Sequence, residues 1–78
     1  MNALFIQIRC KPGTTYKVAD AIALRELHSE LYSTSGEYDL LLKMYLPDEV
    51  DVGRFINEKL LDIDGIERTV TTLTFKAF

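Results

Sequence analysis

The stretch Ser35-Gly36-Glu37-Tyr38-Asp39-Leu40-Leu41-Leu42-Lys43-Met44-Tyr45 decides the fold. A glycine between polar residues marks a chain reversal, because glycine takes up positive φ at little steric cost. Residues 38–45 read as a strand, and residues 28–35 before them read as its antiparallel neighbour. The segment is therefore a β-hairpin with its tight turn at Ser35-Gly36-Glu37. Pro47 stops the outgoing strand, since proline has no amide to give to a ladder.

Toward the N-terminus, residues 3–10 alternate, with Leu4, Ile6, Ile8 and Cys10 on one face and Phe5, Gln7 and Arg9 on the other. Lys11-Pro12-Gly13 breaks this first strand, and Thr14 or Thr15 is placed to cap a helix running to about Glu26. Val18, Ala21, Ile22 and Arg25 recur at helical spacing and form its packing stripe. Toward the C-terminus, Asp48 or Asp51 is placed to cap a second helix with Val52, Phe55, Ile56 and Leu60 on one face. Asp62-Ile63-Asp64-Gly65 punctuates, and residues 66–75, rich in Thr, Val and Phe, form a last strand.

The order is βαββαβ. Two right-handed crossovers joined by a hairpin give an α+β, ferredoxin-like domain: a four-stranded antiparallel sheet with both helices on one face. The first and third strands are expected at the centre. The helix-covered face receives Leu4, Ile6, Ile8, Leu40, Leu42 and Met44, which leaves Phe5, Leu41, Tyr45, Leu73 and Phe75 for the opposite face. A face that apolar is expected to be covered by a second copy, as a dimeric α+β barrel.

Composition agrees. The 78 residues suffice for one domain, and chains of this size bury only about 60% of the surface that unfolding exposes. Cys10 is the only cysteine and His28 the only histidine, so neither a disulfide nor a metal cluster supplements the core. Self-association is the remaining supplement, and no cofactor is expected. A net charge of −3 and a pI near 5.0 argue against a phosphate-backbone partner. The first ten residues lack a basic leader and a cleavage site, and no apolar run would cross a bilayer, so neither secretion nor a membrane is expected. A lone cysteine suits the reducing cytoplasm.

Two motifs carry a family resemblance. Gly36-Glu37-Tyr38-Asp39-Leu40-Leu41 is followed, about thirty residues on, by Gly65-Ile66-Glu67-Arg68-Thr69-Val70-Thr71. Together, in that order and on those elements, they resemble the paired signature of the ligand-binding (RAM) domain of leucine-responsive/AsnC (Lrp/AsnC) transcription regulators. The resemblance covers essentially the whole chain. It implies a non-enzymatic module that binds an amino acid or similar effector near the hairpin turn, close to contacts between dimers. The matching positions here are Gly36, Tyr38, Asp39, Thr69 and Thr71. The chemistry suits them: Asp39 would take the effector's ammonium, while turn amides and the Thr69 and Thr71 hydroxyls would donate to its carboxylate. The resemblance further implies a homodimer, a ring of dimers as a higher form, and co-assembly with full-length family members. The chain begins at its first strand without the family's helix-turn-helix, so the module is expected to act as a stand-alone sensor whose output passes through a partner.

Each of these residues also has a plainer role. Gly36 serves as a turn glycine, Asp39 as an acceptor for turn amides, and the threonines of the last strand as ordinary strand formers. His28 is expected in solvent and Cys10 as a small buried hydrophobe. Two other readings share the fold: an ACT-like amino-acid-binding domain, with Gly13 after the first strand, and a small cofactor-free enzyme of the dimeric α+β barrel class. The enzyme would need an acid/base pair, and only His28 with Asp39 or Glu30 offers one.

Overall fold

Strands hydrogen-bonded on both edges sit at the centre of a sheet, and here those are the first and the third. The computed structural model describes residues 2–78. Its elements are β1 (Asn2–Cys10), α1 (Thr15–Leu24), β2 (Glu30–Ser33), β3 (Leu40–Leu46), α2 (Val52–Lys59) and β4 (Ile66–Leu73). They form one antiparallel sheet in the order β2-β3-β1-β4. β1 pairs with β3 from Asn2↔Leu46 to Ile8↔Leu40, and with β4 from Leu4↔Leu73 to Cys10↔Ile66. The ferredoxin-like arrangement and the central places of β1 and β3 are as the sequence predicts.

The alternation in β1 does what period two requires. Leu4, Ile6 and Ile8 are at most 2% exposed, and they meet Leu40, Leu42 and Met44 of β3 beneath Val18 and Ile22 of α1 and Ile56 and Leu60. Burying each such side chain stabilises the fold by about 1.5–3 kcal/mol. α1 ends at Leu24, before Glu26, because Glu26 takes a left-handed φ of 55° that cannot continue a helix. Thr14 is the N-cap of α1 by position, yet its hydroxyl donates to the carbonyls of Lys11 and Gly65. Asp51, not Asp48, caps α2, accepting from Arg54 N–H at 3.1 Å.

Three expectations need correction. The hairpin turn is wider than a tight reversal: β2 stops at Ser33, paired with Leu40, and residues 34–39 form a six-residue loop. The expected β2 and β3 both run too far into the turn, because Thr34 and Asp39 close the loop themselves with Thr34 N–H donating to Asp39 C=O at 2.9 Å, and β2 begins at Glu30 and not at residue 28. Leu73 pairs with Leu4 and so lies on the helix side of the sheet, half-exposed at its edge. Phe75 lies past the end of β4 and is 90% exposed.

Gly65 joins the two layers. Its carbonyl accepts from Lys11 N–H at 2.8 Å, its φ is 102°, and a Cβ there would come within 2.9 Å of both Thr14 Oγ1 and Val18 Cγ2. Gly36 also has a left-handed φ, 95°, but faces open space. Gly65→Ala should therefore cost about 2–4 kcal/mol, combining backbone strain with overpacking, and Gly36→Ala about 1 kcal/mol. Equal losses in urea titration would show that the Gly65 contact is not limiting. On the helix side, Arg25 donates to Asp62 and to the Lys59 carbonyl, and the guanidinium bond holds the Asp62 carboxyl below the ordinary carboxylate value. A carboxyl depressed on folding contributes stability above its unfolded pKa and loses it as pH falls through the folded one. The urea midpoint should drop on acidification through and below the ordinary carboxylate range, and Arg25→Gln should flatten part of that drop.

Candidate functional site

The hairpin loop, the C-terminal end of β1 and the start of β4 meet at one end of the sheet, as the strand registers require. Asp39 is the residue that joins them. Its N–H donates to Ile8 C=O at 2.8 Å, continuing the β1–β3 ladder by one bond beyond Leu40. Its carboxylate oxygen Oδ2 then accepts from Cys10 N–H at 2.7 Å. The plainer expectation for Asp39, accepting from turn amides, is thus replaced by a bond to the neighbouring strand. Thr34 Oγ1 donates to Tyr38 C=O at 2.9 Å and tightens the loop from its other side. Gly36 stands at the exposed tip, while Tyr38 and Asp39 are half-buried at its base.

Thr69 and Thr71 are placed differently. They pair with Ile8 and Ile6, so their side chains share the helix-covered face, half-buried on the edge strand. With β1 lying between β3 and β4, the backbones of Leu40 and Thr69 stand about 10 Å apart, two strand spacings. Within one protomer the five expected residues therefore form two groups: Gly36, Tyr38 and Asp39 on the loop, and the two threonines across β1.

On the open face a side chain not singled out from the sequence spans that gap. Arg68 lies over the Tyr38 ring, 5.8 Å from its centre, and is directly opposite Arg9 in the β1–β4 register. Two guanidiniums side by side repel unless counter-charges are near. Arg9 has Glu67 at 3.4 Å and Glu37 at 3.8 Å, and Arg68 has the Tyr38 ring. The signal for Arg68 was present in its place between Glu67 and Thr69, but only the register shows which face it takes.

Farther along the same face runs a second polar group. Glu30 on β2 pairs with Lys43 on β3 at 3.2 Å and accepts from the Tyr32 hydroxyl. The Tyr32 and Lys43 bonds hold the Glu30 carboxyl below its ordinary value. The bonds that the Lys43 ammonium donates to Tyr45 and then to Glu30 hold its pKa above the ordinary value. These engagements bear on the enzyme reading. Glu30 is committed to Lys43, Asp39 to the Cys10 amide, and His28 is exposed. The Cys10 thiol is buried, and desolvation with the Asp39 charge beside it pushes its pKa up, away from a reactive thiolate. Among the described residues no group of three His, Cys, Asp or Glu is placed to hold a metal. No described helix is long and apolar enough to cross a membrane.

Comparison with known proteins identifies the module. The model of the Lrp/AsnC ligand binding domain family matches residues 3–78. An uncharacterized HTH-type transcriptional regulator of Pyrococcus furiosus is 39% identical over 74 residues, covering 91% of this chain and 49% of the relative. The chain thus spans about half the length of the curated relatives it matches. The crystal structure of TTHA0845 from Thermus thermophilus superposes with a TM-score of 0.89 at 32% identity, covering 100% of this chain and 98% of that one. A transcriptional regulator of Neisseria meningitidis, solved as a complex with L-Met, shares the fold with a TM-score of 0.82 at 18% identity, covering 96% of this chain and 50% of that one. With its family signature matched from the first strand to the last residue, the chain belongs to the Lrp/AsnC ligand-binding domain family of transcriptional regulators.

Proposed function

We propose that this domain binds an amino acid, or a small effector of the same ammonium-and-carboxylate chemistry, at the hairpin end of the sheet, without transforming it. The observation that carries this reading is Asp39, a half-buried carboxylate locked in place by the Cys10 amide at 2.7 Å and opening at the base of the Gly36 loop. A fixed carboxylate of that kind is prepared to receive an ammonium group without first losing side-chain entropy. Loop amides near Gly36 and the hydroxyls of Thr69 and Thr71 then serve the effector's carboxylate. Because the two groups stand about 10 Å apart within one protomer, a pocket that uses both is completed where protomers meet. The L-Met complex of the Neisseria regulator supports the ligand class.

The second copy belongs on the open face. There Phe5 and Leu41 are half-buried, and Tyr32, Tyr45 and Val70 are 53%, 45% and 37% exposed, in adjoining rows across the four strands. Such a patch on a domain with a small core is what a sheet-on-sheet dimer removes from water. The engagement of Glu30 by Lys43 and of Asp39 by the Cys10 amide, with His28 exposed, favours a binding module over an enzyme. The net charge of −3 disfavours direct contact of this domain with nucleic acid, which favours an output passed through a protein partner.

Thermal-shift titration against each protein amino acid tests the effector. At about 100 times its Kd the true ligand should stabilise the protein by about 2.7 kcal/mol. Asp39→Asn keeps an acceptor for Cys10 N–H but removes the charge, so the variant should fold and lose most of that response. An undiminished response in Asp39→Asn removes Asp39 from the site. Light scattering tests the assembly: the wild type should have at least the mass of a dimer at micromolar concentration. Leu41→Asp should reduce that mass to a monomer with its far-ultraviolet circular dichroism unchanged.

A further inference from the structure

Arg68 is carried by β4, the strand of Thr69 and Thr71, yet its guanidinium ends over the Tyr38 ring on the hairpin loop, 5.8 Å from the ring centre. Its backbone stands opposite Arg9, next to the Cys10 amide that holds the Asp39 carboxylate, so the side chain crosses β1 to reach the loop. The base of the loop thus has a fixed carboxylate at Asp39 and a guanidinium on the ring of the residue before it. Glu37 and Glu67, the other carboxylates at this end, both pair with Arg9, at 3.8 Å and 3.4 Å. A guanidinium steadied on a ring face keeps its planar fork of N–H groups at the rim, where two parallel bonds match a carboxylate. Arg68 is exposed and borders the rows that the second copy covers, with Val70 the next residue of those rows on its own strand. Because its head turns to the loop, it lies at the polar rim of that contact and not beneath it.

We infer that Arg68 binds the carboxylate of the effector and makes the site selective for free amino acids over their carboxamides. The inference rests on the amino-acid reading above and supplies the positive charge that the reading leaves unassigned. Asp39 takes the ammonium, Arg68 takes the carboxylate, and the loop amides with the Thr69 and Thr71 hydroxyls add neutral donors. The ammonium and carboxylate of an amino acid sit on one carbon, so a receptor must hold two opposite charges near each other without letting them neutralise one another. Separate anchors serve that need: the Cys10 amide for Asp39 and the Tyr38 ring for Arg68. Tyr38 is then a positioning residue, acting through the guanidinium it steadies. The charged contacts come from one protomer, and the hydroxyls are added where protomers meet.

Titration of the full chain followed by ¹H–¹⁵N spectra tests the inference, with each protein amino acid run beside its α-carboxamide at about pH 6.5, where both carry the ammonium. The wild type should bind at least one acid and take its carboxamide about tenfold or more weakly, as loss of one charged hydrogen bond implies. Arg68→Gln should weaken the acid to the level of the carboxamide and leave the carboxamide unmoved, with circular dichroism and mass unchanged. Arg68→Lys, which keeps the charge without the fork, should fall between the two. Asp39→Asn should instead weaken acid and carboxamide alike. Equal wild-type affinity for acid and carboxamide overturns the inference, and so do Arg68 variants that weaken both compounds alike or neither. The wild-type ratio needs no variant, so a folding defect at position 68 leaves the test intact. Failure of every amino acid to bind the wild type is a different outcome, which removes the effector reading itself and the inference with it.

Discussion

The structure depends on satisfying both edges of β1 where its ladders run out. At Ile8 the pairing with β3 ends, and two further groups of β1 still point at that edge: the Ile8 carbonyl and the Cys10 amide. Asp39 answers both, with its own amide and with its carboxylate. On the opposite side the ladder to β4 shifts register between Arg9 and Cys10, and the Lys11 amide passes to the Gly65 carbonyl. A buried strand end left without these partners would lose about 1–3 kcal/mol for each group. The residues that close β1 therefore also fix the hairpin loop and the entry to β4, the two segments in which the family signature lies.

This gives the signature a structural meaning separate from ligand binding. Asp39 holds the loop against β1 through its amide and its carboxylate, and the role proposed for that carboxylate rests on this anchoring. Gly65 allows β4 to begin close against Thr14 and Val18, where any side chain would collide. One acidic residue and one glycine thus do structural work at the places where binding is proposed. Substitutions there need a readout other than loss of binding alone.

The two faces of the sheet divide the labour. The helix side is an apolar core without a buried polar side chain among the described residues. The open side mixes apolar rows with charge pairs that run across strands: Glu30 with Lys43, and Arg9 with Glu37 and Glu67. Pairs of this kind add little stability while they face water. Covered by another copy, they would set register and orientation, because a charge removed from water must find its partner.

The βαββαβ order, the central strands, the core face and the paired motifs were legible in the sequence because each rests on local periodicity or on residue types with narrow conformational preference. Leu4, Ile6 and Ile8 alternate whatever they pack against, and Gly36 marks a reversal in any context. What alternation cannot express is register between strands distant in the chain. The place of Leu73 beside Leu4, the union of Arg68 with Tyr38, and the division of Asp39 from Thr69 and Thr71 by the width of β1 all follow from register. The width of the hairpin loop was likewise set by Thr34 and Asp39 bonding to each other and to β1. The sequence by itself determined which residues go inside and in what order the elements come. Only the tertiary structure decided which side chains meet, because a one-residue slip in pairing reverses every face while leaving the local pattern unchanged.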